Sequence, residues 1–192
     1  VRDGCSDILR DFAGHSKGNR LGVFARRPGP VQLTWLGYPD TTGLPAIGYR
    51  ISDSTADPAR AAAINTETLL RIVDCFVCYQ PPGDAPSVTL REPGSAVVFS
   101  SFNNIAKVNT QLIALWAEIL GGVPGSRLML KSSALNFPDT VDRVFESLER
   151  AGIDAARIEL RGWVEARQQH LDAYGEIDIA LDTFPYNGTT TT

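Results

Sequence analysis

The chain has 192 residues, of which 43% are apolar and 21% charged, with a formal net charge of −4 at pH 7. This composition is ordinary for a globular protein and leaves room for one good core or two modest ones. The negative charge and the scattered Lys and Arg residues argue against nucleic-acid binding, which needs a basic surface. No apolar run approaches the ~20 residues of a membrane helix, so we expect no membrane partner and a cytoplasmic location.

The first half of the chain predicts short elements separated by turn-rich loops. Strands are expected over residues 6–12, 31–36 and 49–52, and a short helix over residues 19–26. Between the second and third of these strands, residues 37–45 form a loop rich in Gly, Pro, Asp and Thr, which is typical of a rigid turn.

Cys75 and Cys78 have the spacing of a redox or metal-binding pair. They lie in the apolar stretch 72–79, which reads as a strand, and residues three apart on a strand point to opposite faces. The sequence offers no second Cys or Cys/His pair to complete a zinc site. We therefore expect buried structural thiols, with a functional C-x-x-C pair as the alternative.

The second half shows a clearer pattern, after a Pro- and Gly-rich stretch at residues 80–95 that predicts a linker between two lobes. Strand and helix then alternate, which predicts an α/β fold with a parallel sheet and right-handed crossovers. The predicted strands are 96–102, 127–131, 158–163 and 177–183. Three helices are predicted: the first begins after a cap at Asn109, the second begins at Pro138, and the third covers residues 165–174. Trp35, Trp116 and Trp163 are expected to anchor the core.

Two loops carry groups that suit a phosphate, and each follows an apolar strand. In the first, residues 100–107, Lys107 lies two residues before the helix cap at Asn109. An anion between its ammonium and the free N–H groups of that helix would be stabilised twice, although a solvated surface lysine is the alternative. Asn103 and Asn104 add polar groups at the same strand end.

The second loop, residues 182–192, contains Gly188 and four threonines, whose hydroxyl and N–H groups stand where a helix would begin. Taken alone, this loop could be a helix cap and a tail. Because ligands of open parallel sheets settle beyond the carboxyl ends of the strands, the two loops together predict a shared diphosphate ligand. The sequence has no Asp-x-Asp or His/Asp cluster, so metal-independent chemistry is expected.

The chain has two histidines, His15 and His170. His170 lies on the third predicted helix and is expected beside the same cleft, while His15 lies in a loop of the first half. For both, a surface histidine without a function is the alternative.

Five ordered motifs carry a resemblance to a known family. They are AGHSKGNR at 13–20, RPGPVQ at 27–32, WLGYPDTTGLP at 35–45, SFNNIAK at 101–107 and LDTFPYNGTTTT at 181–192. Together they resemble the catalytic region of protein O-GlcNAc transferases of the SPINDLY type, nearly from end to end. The resemblance implies a two-lobed GT-B glycosyltransferase fold, often behind tetratricopeptide repeats. Such enzymes transfer a sugar from a nucleotide donor to Ser or Thr hydroxyls of proteins without a metal.

The resemblance assigns roles to individual residues. Lys107 matches the lysine that holds the donor diphosphate, which makes it the candidate catalytic residue, and Asn104 matches a neighbouring donor-contacting amide. His170 matches a histidine that packs near the nucleobase. The remaining donor-binding candidates are Val164, Glu165, Thr189, Thr190 and Thr191. The candidates that line the cleft from the first lobe are His15, Tyr38, Pro39 and Thr42.

The resulting prediction is an inverting transferase that moves GlcNAc from UDP-GlcNAc to protein Ser or Thr, with no cofactor and no metal. Residues 1–91 would be part of the acceptor-side lobe, and residues 92–192 the nucleotide-sugar-binding lobe. Because the chain starts at Val1 and stops in a threonine run, we expect a piece of a longer protein, with the first lobe incomplete and the second truncated. By itself this piece is expected to be inactive, since the general base proposed for the family falls outside it.

Two alternatives remain open from the sequence. A protein O-fucosyltransferase that uses GDP-fucose would share Phe102-Asn-Asn and the threonine tract. A non-catalytic nucleotide- or partner-binding module is the second alternative, because Asp40 and Gly48 replace residues that are often Gly and Asp in the family.

Overall fold

The structure is a computed structural model that describes residues 6–87, 92 and 94–188. The chain divides into two compact units, Val1–Gln80 and Pro81–Thr192. Each unit contains a four-stranded sheet in which all the strands are parallel. The division falls at the start of the predicted linker, while the boundary at residues 91/92 and the roles of the two lobes remain predictions.

The first unit has the strand order β1-β2-β3-β4. Its elements are β1 (Ile8–Asp11), α1 (Leu21–Phe24), β2 (Val31–Thr34), β3 (Tyr49–Ser52) and β4 (Thr68–Arg71). The first three strands and the short helix were predicted, with bounds too long by one or two residues at most ends. The turn-rich loop at residues 37–45 joins β2 to β3.

The predicted strand at residues 72–79 is wrong. The fourth strand instead ends at Arg71, which pairs with Ser52 of β3. The chain then turns away at Asp74, whose φ is +73° and therefore lies in the left-handed region. As a consequence Cys75 and Cys78 are exposed rather than buried. An apolar run alone did not reveal where pairing with β3 stops.

Polar side chains are buried on one face of the first sheet. Arg50 of β3 is 2% exposed, and its guanidinium donates to the Asp57 carboxylate at 2.6 Å and to the Asn65 side chain at 3.0 Å. The Ser52 hydroxyl donates to the other oxygen of Asp57. Because a buried charge needs a hydrogen-bonded partner, this network holds the crossover between β3 and β4 in place.

The second unit has the strand order β7-β6-β5-β8, and the predicted alternation of strands and helices is confirmed. Its elements are β5 (Val98–Ser101), α2 (Thr110–Gly122), β6 (Arg127–Lys131), α3 (Pro138–Arg150), β7 (Ile158–Arg161), α4 (Arg167–Asp172) and β8 (Ile179–Ala180). The third predicted helix is shorter than expected because a 3-10 turn, Ala173–Glu176, replaces its end.

The core of the second unit lies between its sheet and the helices α2 and α3. Leu112, Trp116 and Leu120 form the buried stripe of α2, and Leu148 packs from α3. Trp116 is 1% exposed, as predicted, but Trp163 is 65% exposed and does not anchor the core. Trp163 lies beyond the end of β7, where the chain leaves the sheet, and so it cannot reach the apolar interior.

The helix cap at Asn109 is confirmed, and it gives a test of this unit. Its side-chain oxygen accepts a hydrogen bond from the Leu112 N–H at 3.0 Å. We expect Asn109→Ala to lower the free energy of unfolding by about 1 kcal/mol, the usual loss for such a cap. Urea unfolding measures the change. Gln111→Ala, on the exposed face of the same helix, is the control, and equal stability of the two variants would contradict the capping role.

Candidate functional site

The two predicted loops meet at one edge of the second sheet. Strand β5 pairs in parallel with β8, so Ser100 lies beside Ala180 and both strands end at the same edge. The Lys107 ammonium donates to the Asn187 carbonyl at 2.8 Å and lies 4.5 Å from the centre of the Tyr186 ring. Residues 80 positions apart in the sequence are therefore in direct contact.

A second hydrogen bond joins the same two loops. The Asn109 side-chain nitrogen donates to the Phe184 carbonyl at 2.7 Å, while the oxygen of that side chain caps α2. A single amide therefore holds the second loop against the amino-terminal end of α2, where the helix N–H groups favour an anion.

The Asp182 carboxylate organises the second loop, and sequence reasoning did not single it out. It accepts from the Gly188 N–H at 2.6 Å, the Asn187 side chain at 3.0 Å and the Thr183 N–H at 2.7 Å. The Asn103 side chain, from the first loop, donates to it at 3.4 Å. The sequence feature that could have identified Asp182 is an acidic residue near the end of a predicted strand, inside a motif of polar loop residues.

Lys107 is partly shielded from solvent. Burial lowers the pKa of its ammonium below the ordinary value, and the negative charge of Asp182 opposes that effect. A partly desolvated ammonium interacts more strongly with an anion than one in bulk water does. The Lys107 side chain therefore suits a phosphate ligand better than a fully solvated lysine would.

Asn104 lies beside Lys107 and is exposed. Its side-chain oxygen accepts from the Ala106 N–H at 3.0 Å and so caps the 3-10 turn Ile105–Lys107. This turn sets the direction in which Lys107 leaves β5. The three threonines Thr189, Thr190 and Thr191 lie outside the described residues.

His170 of α4 lies in an aromatic cluster on the same unit. Its ring packs edge to face against Tyr174, with ring centres 5.6 Å apart, and lies 6.1 Å from the ring of Phe102, which directly follows β5. The Lys131 ammonium lies 2.7 Å from His170 Nδ1. Burial lowers the pKa of His170, and the charge of Lys131 lowers it further.

Val164 and Glu165 lie on the loop between β7 and α4, where Val164 is half-buried and Glu165 exposed. The next charged residue, Arg167, forms a two-point ion pair with Asp84 at 2.8 and 2.9 Å. The three residues expected near the nucleobase, Val164, Glu165 and His170, therefore lie on the loop between β7 and α4 and on α4 itself.

The first-unit candidates form a cluster of their own. His15 Nε2 lies 2.8 Å from the Thr42 carbonyl, and its ring packs edge to face on Tyr38 with centres 5.2 Å apart. Because a carbonyl can only accept, Nε2 is the donor in this hydrogen bond. The hydroxyl and N–H of Thr42 donate to Glu67, and Pro39 is half-buried next to Tyr38.

Two local features hold this first-unit cluster together. Gly14 has a φ of +49°, and a Cβ there would lie 2.4 Å from Tyr38, so only glycine fits beside that ring. Although burial acts to raise it, the hydrogen bonds from Thr41 and Thr42 lower the pKa of Glu67. The loop that carries Tyr38, Pro39 and Thr42 is thus tied to a carboxylate.

Within residues 6–87, 92 and 94–188, no group of three or more His, Cys, Asp or Glu residues could hold a metal ion. In the same described part of the chain, every helix is too short or too polar to cross a membrane.

The fold and the polar strand ends define a class of protein. Two units with parallel sheets, one of which brings a lysine and a glycine-containing loop together at the carboxyl ends of its strands, are typical of two-lobed α/β proteins that bind nucleotides. The profile of glycosyl transferase family 41 matches residues 1–80 and 87–192. The chain belongs to that family, which confirms the resemblance seen in the motifs.

Known proteins are similar to the whole chain or to part of it. The chain is 44% identical over 194 residues to an Arabidopsis thaliana protein named probable UDP-N-acetylglucosamine–peptide N-acetylglucosaminyltransferase SPINDLY, covering 100% of this chain and 21% of that protein. A Caenorhabditis elegans UDP-N-acetylglucosamine–peptide N-acetylglucosaminyltransferase is 45% identical over 69 residues, which are 36% of this chain and 6% of that protein.

A solved structure shares the fold. A mutant of the Thermobaculum terrenum O-GlcNAc transferase superposes with a TM-score of 0.90 at 38% identity, covering 99% of this chain and 36% of that one. The predicted fold class, the α/β GT-B glycosyltransferase fold, is therefore confirmed. The chain spans about a fifth of the length of the SPINDLY relatives it matches.

Proposed function

We propose that this chain is part of the catalytic region of a protein O-GlcNAc transferase, which transfers GlcNAc from UDP-GlcNAc to Ser or Thr hydroxyls of proteins. The names of the relatives and the family membership support this activity. The observation that carries the proposal is the contact between Lys107 and the loop at residues 182–188, at the carboxyl ends of β5 and β8. A donor diphosphate would lie at this contact.

The proposed reaction is a single inverting displacement. The acceptor hydroxyl oxygen forms a bond to the anomeric carbon, its proton passes to a general base or to solvent, and the bond to the diphosphate breaks. Negative charge then grows on the leaving diphosphate. Lys107, with the hydroxyls and N–H groups of Thr190 and Thr191, would stabilise that charge more in the transition state than in the ground state, which is what accelerates a reaction. No metal is required for this step.

The other candidates would bind the two substrates. Asn104 and Thr189 would contact the donor near the phosphates, and His170 would pack near the nucleobase. Val164 and Glu165 would offer the backbone that reads that base. On the acceptor-side lobe, the cleft would be lined by His15, Tyr38, Pro39 and Thr42. The protein would work in the cytoplasm, with tetratricopeptide repeats upstream and no cofactor.

The donor assay tests the activity directly. The full-length parent protein is incubated with an acceptor protein extract and with labelled UDP-GlcNAc or labelled GDP-fucose. We expect label to pass to protein Ser or Thr only from UDP-GlcNAc. Transfer from GDP-fucose alone would make the protein a fucosyltransferase. Nucleotide binding without transfer from either donor would make it a non-catalytic module.

Asp182 gives a test of the loop geometry. We expect Asp182→Asn to weaken UDP binding by the full-length parent about tenfold, because a hydrogen bond to a charged acceptor contributes roughly 1.5–3 kcal/mol and the loop loses such bonds. Calorimetry with UDP measures the affinity. The control is Asp142→Asn, which removes an exposed carboxylate on α3. Equal UDP affinity of both variants would contradict a role for Asp182 in shaping the loop.

A further inference from the structure

The sequence prediction did not assign a role to Lys131, yet this lysine lies at the carboxyl end of a central strand. It is the last residue of β6, which runs between β5 and β7, and it is 5% exposed. Its ammonium lies 2.7 Å from His170 Nδ1 and 5.6 Å from the centre of the Phe102 ring. A buried ammonium needs a partner, and the histidine ring supplies one.

The direction of this hydrogen bond determines the protonation of the ring. An ammonium has three N–H donors and no acceptor, so Lys131 donates and His170 Nδ1 accepts. A ring nitrogen that accepts a hydrogen bond carries no proton. The neutral imidazole must then hold its single proton on Nε2, which makes that nitrogen a hydrogen-bond donor.

The charged groups around His170 favour the same state. Burial lowers the pKa of His170, and the positive charge of Lys131 lowers it further. Burial is also the larger cause of the lowered pKa of Lys131, and the positive charge of Arg161 on β7 is the smaller one. Arg161 is itself held by Glu159 and Glu176. Two charged residues lie near His170 on its own helix, and each has another partner. Arg167 pairs with Asp84, and the Asp172 carboxylate accepts a hydrogen bond from Gln168. The His170 ring also contacts the ring of Tyr174.

We propose that Lys131 is a positioning residue that holds His170 as the neutral tautomer with its proton on Nε2, so that the ring offers an N–H donor to an acceptor oxygen of the nucleotide. The nucleotide part of this inference rests on the proposed function, in which His170 packs near the nucleobase. The pairing itself rests only on the geometry of a buried lysine on β6 and a half-buried histidine on α4. An imidazolium, or the other tautomer, would not accept from Lys131.

Nitrogen-15 NMR of the ligand-free chain tests the pairing without any assumption about function. The chain has two histidines, and His15→Gln leaves a single ring to observe. We expect one protonated nitrogen, Nε2, and one unprotonated nitrogen, Nδ1, with a titration midpoint below the ordinary value of 6.5. A ring protonated on Nδ1, or an even mixture of tautomers at neutral pH, would overturn the proposal.

Substitution of Lys131 tests whether this lysine sets the tautomer and the titration midpoint of His170. In Lys131→Met we expect the His170 midpoint to rise, because the neighbouring positive charge is gone, and the tautomers to mix. Lys131→Arg, which keeps a donor, should preserve the wild-type tautomer. Lys17→Met, which removes an exposed lysine of the first unit, is the matched control. An unchanged midpoint and tautomer in folded Lys131→Met would overturn the proposal. If this variant does not fold, the wild-type spectrum still decides.

UDP binding by the full-length parent tests the consequence for the nucleotide. We expect Lys131→Met to weaken UDP binding about tenfold at pH 7, the factor expected for one hydrogen bond, and Lys131→Arg to restore most of it. Wild-type affinity in Lys131→Met would overturn the role toward the nucleotide. If wild-type protein fails to bind UDP, the proposed function fails, while the NMR spectrum still decides the pairing of Lys131 with His170.

Discussion

Lys107→Ala is expected to lower the turnover number of the full-length parent by about 10²-fold or more. The reason is that Lys107 is the cation at the contact between the two loops, where the leaving diphosphate would gain its charge. Removing one preorganised donor from such a site costs roughly 10²–10³ in rate in other enzymes. Because that charge grows only as the bond breaks, kcat should fall more than KM rises.

The measurement is the transfer of labelled GlcNAc to an acceptor protein under saturating donor. Arg150→Ala is the control, since it removes an exposed cation of α3 that pairs only with Glu146 among the ion pairs of the described residues. Lys107→Arg should recover part of the rate, because it restores a charge at a different length. If Lys107→Ala keeps turnover within about threefold of wild type, the assigned role of Lys107 is wrong.

Asp57→Ala is expected to lower the free energy of unfolding of the first unit by about 3–5 kcal/mol. The Asp57 carboxylate is the ionic partner of Arg50, which is 2% exposed. Asp57 Oδ1 lies 2.6 Å from Arg50 Nη2. Removing one member of a buried ion pair leaves an uncompensated buried charge, and that loss is larger than the net contribution of the pair. The remaining hydrogen bonds to Asn65 cannot neutralise the guanidinium.

Urea unfolding gives the total change, and hydrogen exchange at the amides of β3 assigns it to the first unit. Glu146→Ala, which breaks the exposed pair with Arg150, should change stability by less than about 1 kcal/mol. The double variant Arg50→Met with Asp57→Leu should recover much of the loss, because it removes both charges. A loss below about 1 kcal/mol in Asp57→Ala would contradict the argument from the buried charge.

The second unit could be predicted well because its signals are local and repeated. Helix α2 has an apolar residue every three or four positions, a side-chain cap at Asn109 and a glycine pair at its end, and each agrees with the others. The first unit was harder, because its helix α1 has four residues and carries too few positions to show a helical period. The error at residues 72–79 arose because an apolar run does not show where strand pairing ends.

The candidate site shows the same division. The resemblance assigned Lys107, Asn104 and His170 to one expected donor site, and their roles there remain predictions. The resemblance assigned no role to Asp182 or Lys131, although both are charged residues at or just after strand ends. His170, the partner of Lys131, lies on α4, 39 positions along the chain, so spacing does not identify it. Gly188, a partner of Asp182, lies on the same loop, but the contact depends on how that loop folds back onto the carboxylate.

The sequence by itself determined the alternation of strands and helices in the second unit, the cap of α2 and the family motifs, because each of these depends on windows of about 5 to 20 neighbouring residues. Only the tertiary structure decided that β8 pairs with β5, and therefore that Lys107 reaches Asn187. It also decided that Trp163 is exposed and that Lys131 meets His170. The physical reason is that strand order and side-chain partners are selected by the packing of the whole unit, in which residues 39 and 80 positions apart become neighbours.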